Sequence, residues 1–496
     1  MTILHISKFK KINFFRKSDN IVLCHGVFDV LHYGHILHFQ KAKKFGTKLV
    51  VSLTPDELVN KGPERPYFNI DIRSKMLASF DFIDLVLIND KGTAENVIKI
   101  VKPSIYAKGS DYKKFKDVTG NIRKEINLLK KYGGKFIITN EQAFSSSNII
   151  NNYLEENNLS NQFLKKNKIN FNECIKILNK LSSLEVLLVG EVIIDIYNYV
   201  KVLGKSPKEN VMSTLHKDTE EFFGGIIATA NNISNFVKKV NLVCLVGDDK
   251  YKKIIKKKLN KNINFIPIFK PKSQTIVKKR FIQKSNLHKF FQIQFMNDEP
   301  LEKKEQNKFK LEIKKYVKKS SLLVINDFGH GLIDNQLAKF IDNLKIFKSI
   351  NVQTNSSNYG FNLLNKFSKI NFASIDHPEA ELVSNLKTKN IALLMSKIKK
   401  KIKINSLAIT KGHLGAEINN GVKSINIPVM INTAKDTMGA GDAFFSITSI
   451  LSKICKDLHY IGFIGNCCGG IASNTIGHKK NINKKDLIRF IETKLK

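Results

Sequence analysis

Two glycine-punctuated strand-to-helix junctions stand near opposite ends of this chain, and any fold has to accommodate both. The first, His25-Gly26-Val27-Phe28-Asp29-Val30-Leu31-His32-Tyr33-Gly34-His35, follows the apolar run Ile21 to Cys24 and leads into helix-like sequence from Ile36 to Phe45. The second, Asp436-Thr437-Met438-Gly439-Ala440-Gly441-Asp442-Ala443-Phe444, continues as an apolar, helix-like run to Leu451. A Gly-rich turn that opens a helix leaves backbone N–H groups pointing outward, where the helix dipole also favours an anion. Two such cradles in different halves of a 496-residue chain predict two α/β domains, because that length exceeds one ordinary domain.

The patterning between them agrees. Strand-like runs at 48–53, 85–88, 105–106 and 135–139 alternate with helix-like runs near 71–80, 93–101 and 121–132. That alternation predicts a parallel, Rossmann-like sheet over residues 20–155, preceded by an N-terminal extension, 1–19. The polar, Asn- and Lys-rich stretch from Asn151 to Asn172 marks a linker, placed over 156–180. A second α/β pattern opens at Glu185-Val186-Leu187-Leu188-Val189-Gly190, and residues 181–496 form the second domain.

Chemistry follows from the residue types at each junction. A carboxylate at position 442, beside the amides of Gly439, Ala440 and Gly441, can take a proton from an attacking hydroxyl while those amides hold a phosphoryl group. His32 and His35, three apart at a helix start, can aim two imidazoles at one point, as stabilising a nucleotide α-phosphate would require. The Gly-x-Phe-Asp lead-in fits nucleotide chemistry better than half of a metal site. Lys61, on a Pro- and Gly-held loop after the second strand, is the candidate phosphate ligand there.

The second motif resembles the C-terminal signature of the ribokinase/PfkB sugar kinases, and the first resembles the His-x-Gly-His nucleotidyltransferases. The transferase resemblance implies that His32 and His35 are catalytic and that Gly26, Phe28 and Lys61 meet the nucleotide phosphates, with Arg73 as a second candidate. It also implies a nucleotide-side loop, Lys108-Gly109-Ser110-Asp111, and phosphate-facing hydroxyls at Ser145, Ser146 and Ser147. The kinase resemblance implies Asp442 as catalytic base and a sugar site at Asp195, Gly224, Gly225 and Asn232. ATP phosphates would meet Thr410, Gly412, Gly415, Gly439, Ala440 and Gly441. Asp376-His377-Pro378-Glu379 stands where the family has Asn-x-x-Glu, so Asp376 and Glu379 are expected to organise Mg²⁺ through water. Other positions also depart from the family: Glu191 replaces an Asp, Ala228 an Asn, and His330 a Lys.

Taken together, the motifs resemble the bifunctional heptose 7-phosphate kinase/heptose 1-phosphate adenylyltransferases, with the domain order reversed. The resemblance implies an N-terminal Rossmann-like nucleotidyltransferase and a C-terminal ribokinase-like domain with a small β lid. Implied cofactors are ATP and Mg²⁺. CTP stays open for the transferase, although Thr139-Asn140-Glu141-Gln142-Ala143 lacks the Arg that cytidylyltransferases often carry there. A kinase for another sugar or polyol also stays open, as does a half that senses ligand without turnover.

The formal charge of +39 would ordinarily suggest a nucleic-acid partner. Here the excess is Lys scattered along the chain, with Asn, Ile and Phe abundant and Trp absent, the skew an AT-rich genome imposes through codon choice. The expected partners are therefore small sugar phosphates and nucleotides, without nucleic acid or membrane. Both resembling families often form dimers, which leaves a homodimer open. Six Cys without metal-ligand spacing, and no apolar run of membrane-spanning length, lead to an expected cytoplasmic location.

Overall fold

The computed structural model describes residues 2–9, 11–12, 14–109, 121–140, 146, 150 and 159–496. The chain divides into two compact units, one of residues 1–162 with 485–496 and one of residues 163–484.

In the first unit six strands form one parallel sheet: β1 (Thr2–His5), β2 (Ile21–Gly26), β3 (Lys48–Leu53), β4 (Leu85–Ile88), β5 (Ile105–Lys108) and β6 (Lys135–Ile138). Their order is β1-β4-β3-β2-β5-β6. Connecting helices include α1 (Tyr33–Lys43), α2 (Ile70–Ala78), α3 (Glu95–Val101) and α4 (Asn121–Lys131). Neighbouring residues in one strand serve opposite cores. Leu23 and Val50 belong to one apolar cluster, Cys24 and Val51 to the other. Burial on both faces explains why these strands read as unbroken apolar runs. The chain winds outward from β2 through β3 to β4, then returns to place β5 on the other side of β2. That reversal opens a crevice at the carboxyl ends of β2 and β5, where doubly wound sheets bind ligands. The expected N-terminal extension is part of this sheet: β1 pairs with β4 from Thr2↔Leu85 to His5↔Ile88, and Ile6 behind it is fully buried.

The second unit is built on one long strand, β7 (Glu185–Lys205). Its first part lies in a parallel sheet between β9 (Lys239–Gly247) and β13 (Leu322–Asp327). From Val192 onward it pairs with β8 (Met212–Gly225), and from Ile193 also with β11 (Ile276–Gln283), while β12 (Lys289–Phe295) completes a four-stranded lid. The core sheet runs from β10 (Ile263–Lys270) through β9, β7 and β13 to β14 (Phe347–Val352), β15 (Lys369–Asp376) and β16 (Lys403–Thr410). The antiparallel strands β17 (Ala416–Asn419) and β18 (Ser424–Ile427) end it. Three helices matter for the site: α5 (Ile226–Ser234), α6 (His377–Ser384) and α7 (Ala440–Ile454).

The linker assignment over 156–180 does not hold for most of its length. Residues Leu159–Lys166 and Phe171–Lys180 are helices, with Phe163, Leu164, Cys174, Ile177 and Leu178 buried. The polar majority of this stretch hid an apolar residue every three or four positions, which is a helix face. Asn170 caps the second helix by accepting from Asn172 N and Glu173 N. All six cysteines are free thiols. Among the described residues no helix is long and apolar enough to cross a membrane.

Candidate active sites

At the carboxyl end of β2 the chain turns through Phe28, held at φ 47°, and enters α1 with His32 as N-cap. The Phe28 ring stands edge-on to His35, with centroids 5.4 Å apart, and to Phe39 at 5.0 Å. Gly26 is required by this wedge, because a Cβ there would lie 2.9 Å from Phe28 Cζ. The wedge fixes His35 against His32, whose ring stacks on it at 3.8 Å and 16°. Burial, with the charges of His32, Lys61 and His38, pushes the His35 pKa down to about 3. His35 is therefore uncharged without ligand, and an anion bound against it would favour protonation. Asp29, buried behind the turn, accepts from Tyr67 N at 2.8 Å and Phe68 N at 2.9 Å, which tethers the loop after Lys61. Burial, partly offset by Asp29, lowers the Lys61 pKa to about 8, with Lys496, Arg65 and Arg489 adding to the fall. The structure thus brings Lys61, His32 and His35 together, with Gly26 and Phe28 as their support.

Arg73 is not with them. Its guanidinium is fully buried, pairs with Asp56, and donates to Phe68 O (3.0 Å), Val27 O (2.6 Å) and Thr54 O (2.9 Å). Four of its five N–H donors are committed in this way, and it braces the loops around the turn. Ser146 is also committed, donating to Val30 O at 3.0 Å. Asp111, Ser145 and Ser147 lie outside the described residues.

In the second unit Asp442 occupies the first turn of α7, just after Gly439, whose φ of 77° only glycine adopts easily. Asn326, in β13, and Gln353, just past β14, both reach Asp442 Oδ1, at 3.4 and 2.7 Å. Oδ2 accepts no hydrogen bond among the described residues. Burial raises the Asp442 pKa, opposed by His478 and the Gln353 amide. A carboxylate held by one oxygen, with its basicity raised, is suited to accept a proton through the other.

The lid contributes Asp195, paired with Arg280 and sharing its row with Lys278. Gly224 closes on this group, since a Cβ there would meet Asp195 Oδ2 at 2.4 Å and His478 Cδ2 at 3.0 Å. Gly225, at φ 53°, starts α5. Asn232, expected from sequence to bind the sugar, has its Oδ1 accepting from Ile482 N at 2.9 Å, a structural tie. Asp436 proves to anchor the Gly-Ala-Gly loop. It accepts from Tyr197 Oη (3.0 Å), Gly477 N (3.0 Å) and Met438 N (3.2 Å), and pairs with Lys289 at 2.8 Å. Burial opposes its charge, but Lys289 and those amides hold the carboxyl below its usual range.

A cleft of about 850 Å³ opens beside β15 and β16, lined by Asp376, Thr410, Lys411 and Gly412 among others. That volume suits a nucleotide. Gly415 shapes its wall rather than lining it, because a Cβ there would sit 2.1 Å from Ile427 O. Asp376 and Glu379 form a reciprocal capping box on α6, each accepting from the other's backbone N–H at 2.8 Å. Burial and the Asp376 charge raise the Glu379 pKa. Two adjoining carboxyls, both disfavoured as anions by burial, make an all-oxygen donor set that a divalent cation would relieve, so the residues fit Mg²⁺.

Gln353, His478 and Asp436 were not assigned to the site from sequence. Gln353 had a usable signal, its place just after a strand of the parallel sheet. His478 had none.

The family model for pfkB carbohydrate kinases matches residues 183–484, and that for cytidylyltransferase-like proteins matches 23–152. The bifunctional protein HldE of Campylobacter fetus is 41% identical over 138 residues, 27% of this chain and 28% of that protein. HldE of Nitratiruptor is 40% identical over 122 residues, 24% of this chain and 26% of that protein. The chain thus spans under a third of the length of these relatives. Arabidopsis thaliana ribokinase, solved with ribose and ATP, superposes with a TM-score of 0.50 at 15% identity, over 62% of this chain and 99% of that one. This likeness is one of fold.

Arg73→Met should lower the stability of the first unit by about 3 kcal/mol, since it strands a partly buried carboxylate. Wild-type denaturation with a raised nucleotide KM would instead return Arg73 to phosphate binding. For Glu379 the native state keeps a proton that the unfolded chain releases above about pH 4.3, so stability falls as pH rises past that value. Glu379→Gln should flatten the decline of Tm between pH 5 and 7, and an unchanged slope would contradict the raised pKa.

Proposed function

We propose, for a chain that belongs to the pfkB family of carbohydrate kinases and carries a nucleotidyltransferase domain ahead of the kinase, that it prepares a nucleotide-activated sugar. The kinase would phosphorylate the anomeric hydroxyl of a heptose 7-phosphate with ATP. The transferase would join a heptose 1-phosphate to AMP from ATP, releasing pyrophosphate and giving an ADP-heptose for a lipopolysaccharide-type glycan. The observation that carries the kinase reading is Asp442, fixed through Oδ1 at the start of α7 with the other oxygen uncommitted.

In the kinase step Asp442 takes the proton as the hydroxyl oxygen bonds to the γ-phosphorus. The bond from that phosphorus to the β,γ-bridging oxygen breaks, and ADP leaves. Backbone N–H groups from Gly439 to Gly441 face the transferring phosphoryl group, where preorganised donors lower the barrier. Asp376 and Glu379 would hold Mg²⁺, which when bound supplies positive charge that offsets the phosphate oxygens. Asp195, oriented by Arg280, and the bare backbone at Gly224 would receive the sugar.

In the transferase step a sugar 1-phosphate oxygen attacks the α-phosphorus and pyrophosphate departs. His32 and His35 donate to the oxygens that gain charge, and Lys61 accompanies the departing phosphates. The HldE relatives, at 40–41% identity over this region's length, support adenylyl transfer in heptose metabolism. The cytidylyltransferase-like match keeps CTP as a second reading, which nucleotide competition decides. A homodimer and a cytoplasmic site of action fit this chemistry and belong to the same proposal.

Asp442→Asn should cut sugar phosphorylation by about 10²–10⁴-fold and leave pyrophosphate release intact. Wild-type phosphorylation in that variant would remove Asp442 from the base role. The His32→Ala, His35→Ala double variant should show the converse, with pyrophosphate release lost and ADP release kept.

A further inference from the structure

The chain's last helix, Lys484–Lys494, begins where the kinase family match ends, yet residues 485–496 cluster with the first unit. It is no loose tail, for Leu487, Phe490 and Ile491 are fully buried. Two contacts bind it to the loop that carries Lys61. Asn60 Nδ2 donates to Asp486 Oδ1 at 3.0 Å. On the other side of Lys61, Gly62 adopts φ 94° with its backbone flat against the Phe490 ring, so close that a Cβ would lie 2.2 Å from Cδ2. Lys61 is therefore held on both flanks by residues from the far end of the sequence. Arg489 and Lys496 lie near it as well, each paired with Glu492. An ammonium held in place on both flanks suits the phosphate chain of a nucleoside triphosphate or departing pyrophosphate.

We propose that this helix is a working part of the transferase, with Asp486 and Phe490 as positioning residues that set the Lys61 ammonium against the nucleotide phosphates. The proposal rests on the assignment of Lys61 to phosphate binding, which fails separately. Lys and its loop would otherwise sample many orientations, and each lost contact lowers the fraction poised to bind. The effect belongs on nucleotide KM more than on kcat, because the imidazole pair is untouched.

The test is steady-state transferase kinetics on the full-length protein, with kinase activity measured in parallel. Asp486→Ala should raise KM for the nucleotide about 3- to 10-fold, the range for one hydrogen bond. Asp486→Asn, which keeps the acceptor for Asn60, should restore it, and kinase turnover should be unchanged in both. Gly62→Ala, with its Cβ driven into Phe490, should raise KM at least as much. If Lys61→Ala raises KM but Asp486→Ala does not, the helix has no positioning role. If Lys61→Ala leaves KM unchanged, the premise about Lys61 is wrong and the proposal goes with it. Equal loss of both activities in Asp486→Ala would mean unfolding and would also overturn it.

Discussion

The kinase half depends on a single strand that belongs to two sheets. β7 runs through the core sheet as far as Glu191 and then into the lid, where Asp195 follows one residue pair beyond Val192 and Ile193. Because the strand is continuous, the lid cannot choose its register against the core independently. This places Asp195 over Gly224 and beside His478, within the same small volume as the start of α7. The cost is burial of several carboxylates, and each has a counterpart. Asp195 has Arg280, Asp436 has Lys289, and Asp327 has Lys366. Glu191, wholly buried, accepts instead from Phe328 N and His330 N, and burial with the nearby Asp327 charge lifts its pKa to about 7. Buried charges that lacked such partners would be strongly destabilising.

On the proposed reading, both units would hold polyanionic phosphates, by different local means. The kinase would use the backbone at Gly439 to Gly441 with a basic carboxylate in the same turn. The transferase would use stacked imidazoles at a helix start, backed by the Phe28 wedge. In each case the group proposed to react sits at the carboxyl edge of a parallel sheet, and the residues that fix it come from neighbouring strand ends. Asn326 and Gln353 do this for Asp442, as the Gly26–Phe28 turn does for His35.

What could be read from sequence was whatever chemistry concentrates into contiguous motifs. The strands at 48–53 and 85–88, the turn before His32, and Asp442 on a helix start all emerged from local pattern. Arg73 did not, because a Lys- or Arg-bearing loop looks the same whether its charge faces solvent or is tied to three carbonyls and Asp56. The bond from Ile482 N to Asn232 Oδ1 was not legible for a similar reason, as a side chain in register can still turn to a distant backbone amide. The role of Asp436 needs Lys289 and Gly477, both distant in sequence. The two helices within 159–180 were hidden because polarity averaged over the stretch masks buried residues that recur at helical spacing.

The central claim is that one chain runs two separate phosphorus chemistries, distinguishable by what each leaves behind. ³¹P NMR of the wild-type protein with ATP and either heptose 7-phosphate or heptose 1-phosphate tests it directly. The account predicts ADP without pyrophosphate from the first sugar, and pyrophosphate without ADP from the second. Pyrophosphate absent with every sugar 1-phosphate, whether ATP or CTP is supplied, would contradict it.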